Sequence, residues 1–303
     1  MIKRNIFNKL AKELSQKEIS ILLGARQVGK STLLQEIEKM AHTQGLSSRF
    51  YNLEFSSDLE ELSGDSKQVF EKLTNGPPLV FIDEFHYLKN ASKIFKAIFD
   101  SKKNIKIYAS GSSSLEIHRH LKESLAGRFK KTMIYPLTLD EAQQTPHYDF
   151  KSYLQWGGMP GLLHQNTPEE KIDLLNNIVS TYVTKDIKAL VQEENVRAFN
   201  SLLYHLAQNQ GSLVSHASLA REVGLSEPTI ARHLEIMAQT YVCFPVVSFS
   251  QNLANELKKS RKYYLFDLGI RNALVKDFRD SSLREDKGLL SESVHLKYLQ
   301  DPL

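Results

Sequence analysis

The sequence predicts an α/β chain: a doubly wound parallel-sheet domain, then a helical region, then a winged helix-turn-helix. Three observations carry this. Short apolar runs alternate with helical stripes through Glu141. Residues 24–31, GARQVGKS, stand between one such run and one such stripe. Between 211 and 266 a helix, a glycine turn, a capped helix and two apolar runs follow one another.

In order, residues 3–18 read as an amphipathic helix carrying Ile6, Leu10 and Leu14, and Ile19, Ile21, Leu22 and Leu23 as the first strand. A helix starts near Lys30, with Leu33, Leu34, Ile37 and Met40 on one face. Residues 49–55 are the second strand, and 59–73 a helix with Leu62, Val69, Phe70 and Leu73. The turn Gly76-Pro77-Pro78 feeds a buried parallel strand, Leu79 to Ile82, that runs into Asp83-Glu84. Helix 90–100 follows, then strand 105–109 ending in the serine-rich 110–114. The sheet edge near 133–135 is stopped by Pro136, and another helix starts within 137–141.

After Pro146, segments 149–156, 170–190 and 195–208 are helical. Gly157-Gly158 marks a tight turn rather than a phosphate cradle, since no lysine or strand accompanies it. Thr167, Pro168 and Glu170 form a helix start. Further on, Gly224 breaks one helix, Ser226 caps the next, and Ile230, Leu234 and Met237 line its inner face. Thr229, Arg232 and His233 are expected to point out from it. Strands 242–249 and 262–266 complete the module. The expected boundaries are 1–145, 146–210, 211–266 and 267–303.

The chain's 303 residues fit two domains comfortably, and 41% hydrophobic with 24% charged content is ordinary for a globular protein. The N-terminal MIKRNIFNKLAKEL lacks the form of a signal peptide and no run is long enough to span a membrane, so a cytoplasmic location without a membrane partner is expected. Cys243 is the single cysteine, which excludes internal disulfides and a Cys-based zinc site and reads as core. His233 or His216 has no second ligand at a metal-binding spacing. The net charge of +4 is mild. Its distribution is uneven: Lys102, Lys103, Lys106, Arg119, Lys122, Arg128, Lys130 and Lys131 are opposed only by Glu116 and Glu123. That stretch faces nucleotide, nucleic acid, a neighbouring subunit or solvent.

The octet fits G-x-x-x-x-G-K-[ST], a P-loop, with Gly24, Gly29, Lys30 and Ser31 in the fixed places. Glycines let backbone N–H groups approach phosphate oxygens, and a helix opening at Lys30 turns its positive end toward the anion. Gly24, Ala25, Arg26, Gln27, Val28, Gly29, Lys30, Ser31 and Thr32 would hold ATP, with Lys30 reaching the β/γ-phosphates and Ser31 ligating Mg2+. Asp83 would hold Mg2+ through water, and Glu84 would orient or deprotonate the attacking water. A serine at the next strand end, Ser110 before Ser112, would meet the γ-phosphate or the lytic water; the plainer reading is a Ser/Gly loop with a helix N-cap.

DNA contact is less clearly written. Across 212–240, Arg221 and Arg232 face Glu222, Glu227 and Glu235, a slightly acidic balance. Lys258, Lys259, Arg261 and Lys262 compensate if the wing approaches the backbone, with Thr229 and Arg232 on the second helix. Protein docking or subunit contact is the other use of such a module.

The ordered segments ARQVGKSTLL, LVFIDEFHYL, ASGSSSLE, SLAGRF, YPLTLDE, WGGMPGLL and KYYLFDLGIRNAL resemble a large prokaryotic family of AAA-type ATPases with a C-terminal domain of unknown function. The resemblance covers essentially the whole chain. It implies an ATPase core, a helical region, a winged helix and then a restriction-endonuclease-like domain. It also implies a role for Arg128, as a γ-phosphate sensor in its own subunit or a finger toward a neighbour's site in a homo-oligomer; packing beside an internal carboxylate is the alternative. The nuclease-like part should start near Asp267, and Glu292 matches its glutamate. With no later strand pair before Leu303, nuclease activity is not expected and the segment reads as truncated. The leading expectation is Mg2+-dependent ATP hydrolysis coupled to conformational or assembly change. The alternative is a nucleotide-gated DNA-binding or protein-docking regulatory module with negligible turnover.

Overall fold

The computed structural model describes residues 2–101, 103–112, 125–181, 196–246 and 261–300. They divide into two compact units, 3–135 and 136–303, the second also taking in residues 1–2.

In the first unit the strands are β1 (Ile19–Gly24), β2 (Ser48–Asn52), β3 (Leu79–Asp83), β4 (Lys106–Ser112) and β5 (Phe129–Met133). All neighbours pair in parallel, in the order β2-β3-β4-β1-β5. The helices are α1 (Phe7–Lys12), α2 (Lys30–Thr43), α3 (Ser56–Glu61), α4 (Ser66–Thr74) and α5 (Ala91–Asp100). β1 and β3 are buried along their whole length because the sheet is covered on both faces, which is why they read as unbroken apolar runs. The core joins Ile21, Leu23, Ile82, Ile107 and Ala109 to the inner faces of α4 and α5, among them Val69, Leu73, Ile94 and Phe95. The register aligns Gly24 with Ser112 and Ile82 with Ala109, so β1, β4 and β3 end together. Their shared carboxyl edge, beside the point where the chain changes direction across β1, is where open α/β sheets bind ligands.

Two local expectations differ. The helix expected over 59–73 is two helices, because Gly64 turns the chain at φ 137° and Asp65 opens α4 with a capping box closed by Gln68. The first helix is shorter than 3–18, and a tighter turn, Glu13–Ser15, follows it. There Glu13, rather than Leu14, is the buried side chain, since its carboxylate accepts from Ser20 Oγ.

Where it is described, the basic stretch is mostly engaged with neighbouring groups, although Lys106 alone among those residues is buried. Lys103 Nζ donates to Thr74 Oγ1 and Asn75 Oδ1 at 3.0 and 2.6 Å, closing the end of α4. Lys130 Nζ reaches Gln16 Oε1 at 2.6 Å. Lys106, 8% exposed, donates to Glu18 O at 2.6 Å and Ser20 Oγ at 2.8 Å. Lys131 is exposed, and Lys102, Arg119 and Lys122 lie outside the described residues.

Burial lowers the pKa of Lys106 from 10.5 to about 8 despite Glu13 and Glu18 nearby. Below pH 8 the ammonium is charged in both states and its desolvation penalty is fully present. Above 8 the folded chain sheds a proton that the unfolded chain keeps until 10.5, so stability rises with pH in that window. Between pH 8 and 9.5 the urea-unfolding free energy of the wild type is expected to gain about 1–2 kcal/mol relative to Lys106→Met. Parallel pH dependences of the two proteins would refute it.

The second unit holds α6 (Leu139–Ala142), α7 (Phe150–Trp156), α8 (Pro168–Thr181) and α9 (Val196–Gln208). Next come β6 (Leu213–Val214), α10 (His216–Val223), α11 (Glu227–Gln239), β7 (Cys243–Val246) and β8 (Arg261–Leu265), and finally α12 (Leu268–Val275) and α13 (Lys287–Gln300). Strands pair antiparallel in the order β6-β8-β7. The caps fall where the sequence puts them: Thr167 Oγ1 accepts from Glu170 N, Ser226 Oγ from Thr229 N, and Gly224 ends α10 at φ 75°. Cys243 is buried, and burial pushes its thiol up to about 12, leaving it an inert core group.

α12 is locked into this unit. Asp267, fully buried, accepts from Gly158 N, Gly269 N and Ile270 N at 2.8, 2.8 and 3.2 Å. Gly157-Gly158 is therefore a close-packing site. A Cβ on Gly157 would sit 2.2 Å from Asp267 Oδ1, one on Gly158 2.2 Å from Leu137 O, and one on Gly269 1.9 Å from Trp156 O. Behind it, Arg284 forks onto Asp286 at 2.8 and 2.7 Å, and Arg271 Nη1 meets the same carboxylate at 2.6 Å. The Arg284 guanidinium holds Asp286 below the usual carboxylate range against the opposing effect of burial. The segment expected to open a nuclease-like fold is thus buried among α7, α8 and α9. Among the described residues, no helix is long and apolar enough to cross a membrane.

Candidate functional site

At the carboxyl edge of the first sheet the loop between β1 and α2 turns on two left-handed residues, Gln27 at φ 62° and Gly29 at φ 91°. Such turns aim successive amides into one concavity, and α2 opens behind them. Gly24 has no room for a side chain: a Cβ would stand 2.2 Å from Ile134 O. Ala25 and Val28 are buried, Arg26, Gly29 and Ser31 partly so, and Gln27 and Thr32 exposed. Lys30 is 5% exposed, and its Nζ donates to Ala25 O at 2.8 Å and Gly24 O at 3.2 Å. An ammonium gathered over its own loop is placed to exchange carbonyls for phosphate oxygens.

Across β4, Asp83 is 2% exposed at the end of β3. Its Oδ1 accepts from Ser110 Oγ and from Glu84 N, the latter at 3.1 Å. Ser110 thus orients the Asp83 carboxylate from the neighbouring strand end. Glu84 takes a left-handed conformation, φ 52° and ψ 47°, which swings its side chain back over the edge, where Oε2 accepts from Ser112 N at 3.1 Å. His86 Nδ1 lies 3.1 Å from the same oxygen. Burial alone would raise the Glu84 pKa, but His86, the Lys30 ammonium and the Ser112 amide together hold it below its ordinary 4.5. The carboxylate form is therefore the resting one. Ser31 and Asp83 supply the hydroxyl and carboxylate oxygens that a hard cation takes, beside an anion cradle. The residues fit Mg2+ with a polyphosphate.

Arg128 does not join this group. β5 pairs with β1 from Ile19↔Phe129 to Leu23↔Met133, so Arg128 precedes β5 at the opposite edge of the sheet. The five residues of β5, at about 3.3 Å each, put it roughly 15 Å from the loop. Its Nε pairs with Asp100 Oδ1 at 2.8 Å. Within its own chain Arg128 thus stands away from the loop, and its partner is the partly exposed Asp100 carboxylate.

The sequence reading missed two side chains here. His86 follows the acid pair by two positions, a local signal available from the string DEFHYL. Arg4 donates to Val28 O at 2.9 Å and to Tyr135 O at 2.7 Å, and no local pattern announces contacts that distant.

The expected DNA-facing residues fare unevenly. Arg232 is exposed, whereas His233 is 2% exposed and meets Phe199 edge-on at 5.3 Å, so it belongs to the core. Thr229 Oγ1 bonds Ser226 Oγ at 2.8 Å. Lys262 Nζ is taken by Glu292 Oε1 at 2.9 Å, and Tyr264 OH donates to the same oxygen at 2.7 Å. Arg261 begins β8, and Lys258 and Lys259 lie outside the described residues. Among the described residues no group of three or more His, Cys, Asp or Glu gathers to hold a metal.

Residues 16–143 match the family model of an AAA domain, and residues 147–281 that of a domain of unknown function (DUF8612). An uncharacterized protein of Haemophilus influenzae is 25% identical over 85% of this chain and 69% of its own length. Others in Methanocaldococcus jannaschii and Mycobacterium tuberculosis are 24% and 23% identical. They align over 86% and 90% of this chain, which spans 63% and 59% of their lengths. Among solved structures, the replication initiator DnaA bound to AMPPCP and single-stranded DNA is 14% identical, with a TM-score of 0.38 over 76% of this chain and 85% of that one. The Candida albicans Pif1 helicase is also 14% identical, with a TM-score of 0.34 over 59% and 48%.

Proposed function

Starting from a chain that joins an AAA domain to a C-terminal domain of unknown function, we propose that it binds ATP with Mg2+ and hydrolyses it to drive a conformational or assembly change. The observation that carries this is the alignment of the 24–31 loop, Asp83 and Glu84 on one sheet edge. In this reading the loop amides and Lys30 hold the polyphosphate, and Ser31 and Asp83 hold Mg2+. When bound there, the cation would supply positive charge to offset the negative charge developing on the phosphoryl oxygens. Ser110 fixes the Asp83 carboxylate, and Glu84 orients the attacking water and accepts its proton at Oε1 or Oε2. In this reading Arg128 serves a neighbouring copy's site, after leaving Asp100.

We read α9, α10 and α11 with the β6-β8-β7 sheet as a winged helix-turn-helix. The exposed face of α11 carries Glu227, Pro228, Arg232 and Glu235, and Lys262 is already paired, so this face suits a protein surface better than DNA phosphates. Steady-state phosphate release by the whole chain, with and without duplex DNA, tests both readings. Wild type is expected to turn over ATP with little response to DNA. Lys30→Ala is expected to lose at least about tenfold in ATP affinity (about 1.4 kcal/mol). A wild type that neither binds nor hydrolyses ATP would sink the proposal.

A further inference from the structure

We propose that Arg4, which lies outside the matched AAA stretch of 16–143, is a positioning residue that sets the shape of the phosphate loop; this rests on the nucleotide reading above. Val28 sits between the two left-handed residues, Gln27 and Gly29. If the amides on either side turn toward an anion, the intervening carbonyl must turn away, into the protein, where it needs a donor. Arg4 supplies it. The residue is 8% exposed, and one guanidinium nitrogen donates to Val28 O at 2.9 Å while the other donates to Tyr135 O at 2.7 Å.

The second carbonyl is as informative as the first. Residues 134–135 continue β5 alongside the loop: Ile134 N donates to Leu23 O at 2.7 Å, and Ile134 O is the atom that forbids a side chain on Gly24. A planar fork bridging Val28 O and Tyr135 O therefore bolts the far end of the loop to the backbone that already confines its near end. The segment that follows Arg4 is tied to the sheet. Leu10 O accepts from Tyr108 OH at 2.7 Å, and Glu13 accepts from Ser20 Oγ, which also takes a bond from Lys106 Nζ. The N-terminal segment is thus pinned to the sheet at α1 and the turn after it, and Arg4 reaches the loop from that anchored frame.

Loss of the bolt should loosen the amide cradle, and so weaken the hold on phosphate more than the chemical step. The test is titration of MgATP into wild type, Arg4→Ala and Arg4→Lys, with steady-state hydrolysis and a nucleotide-free thermal melt of each. Arg4→Ala is expected to raise Kd and KM about tenfold or more with kcat within about threefold. Arg4→Lys, whose single ammonium replaces a two-pronged fork, should lie between, near threefold. If Arg4→Ala shows no cooperative melt, Arg4→Lys carries the test. Wild-type affinity in a folded variant, or a fall in kcat at unchanged KM, overturns the inference. A wild type that takes up no ATP overturns the nucleotide reading and this assignment with it.

Discussion

Glu84→Gln is expected to lower the turnover number for ATP by about a hundredfold or more while ATP affinity stays within about threefold of wild type. The amide keeps the size of the side chain and an oxygen for the Ser112 amide, so the left-handed turn at 84 has no reason to change. It cannot accept the proton of the attacking water. Because His86, Lys30 and the Ser112 amide hold the carboxyl of the free chain below 4.5, the acid limb of the wild-type kcat/KM profile assigned to it should also fall below the ordinary carboxylate range. Phosphate release measured from acidic to neutral pH, beside a nucleotide titration, checks both points. A variant turning over within threefold of wild type would remove Glu84 from the chemistry.

The second large effect is on stability. Asp267→Ala is expected to destabilise the second unit by about 3–5 kcal/mol, or roughly 10 °C in melting temperature. The substitution removes an N-cap of α12 and strands the Gly158, Gly269 and Ile270 amides in a place where water does not replace the lost acceptor. The site has little means to collapse, because Gly157, Gly158 and Gly269 already bring backbone within contact of backbone. Calorimetric melting of the whole chain reads this directly. An unchanged transition would mean that the Arg271–Arg284–Asp286 network, rather than Asp267, holds α12 in place.

Much of the site was legible because the chemistry is local. The loop needs glycines and a lysine within eight consecutive positions, and a buried strand ending in Asp-Glu needs only its own neighbours, so both stand in the string. The strands β1 and β3 were legible for the same reason: full burial on both faces leaves an unbroken apolar run. Ser110 was singled out by position alone, and its partner came from the sheet. Since β4 lies between β1 and β3, the hydroxyl meets Asp83 before it could meet a phosphate. The place of Arg128 was not legible for a related reason: the motif around it gives no strand direction, and a parallel β5 carries it to the far edge.

The sequence by itself determined the glycine-lysine loop, the acid pair at a strand end, the capped helices and the single buried cysteine, because each depends on residues within a turn or strand of one another. Only the tertiary structure decided what Arg4, Glu13, Lys106, Asp267 and His233 do. These polar groups are buried, and a buried polar group is defined by its partner, which here comes from backbone or side chains brought near only by packing.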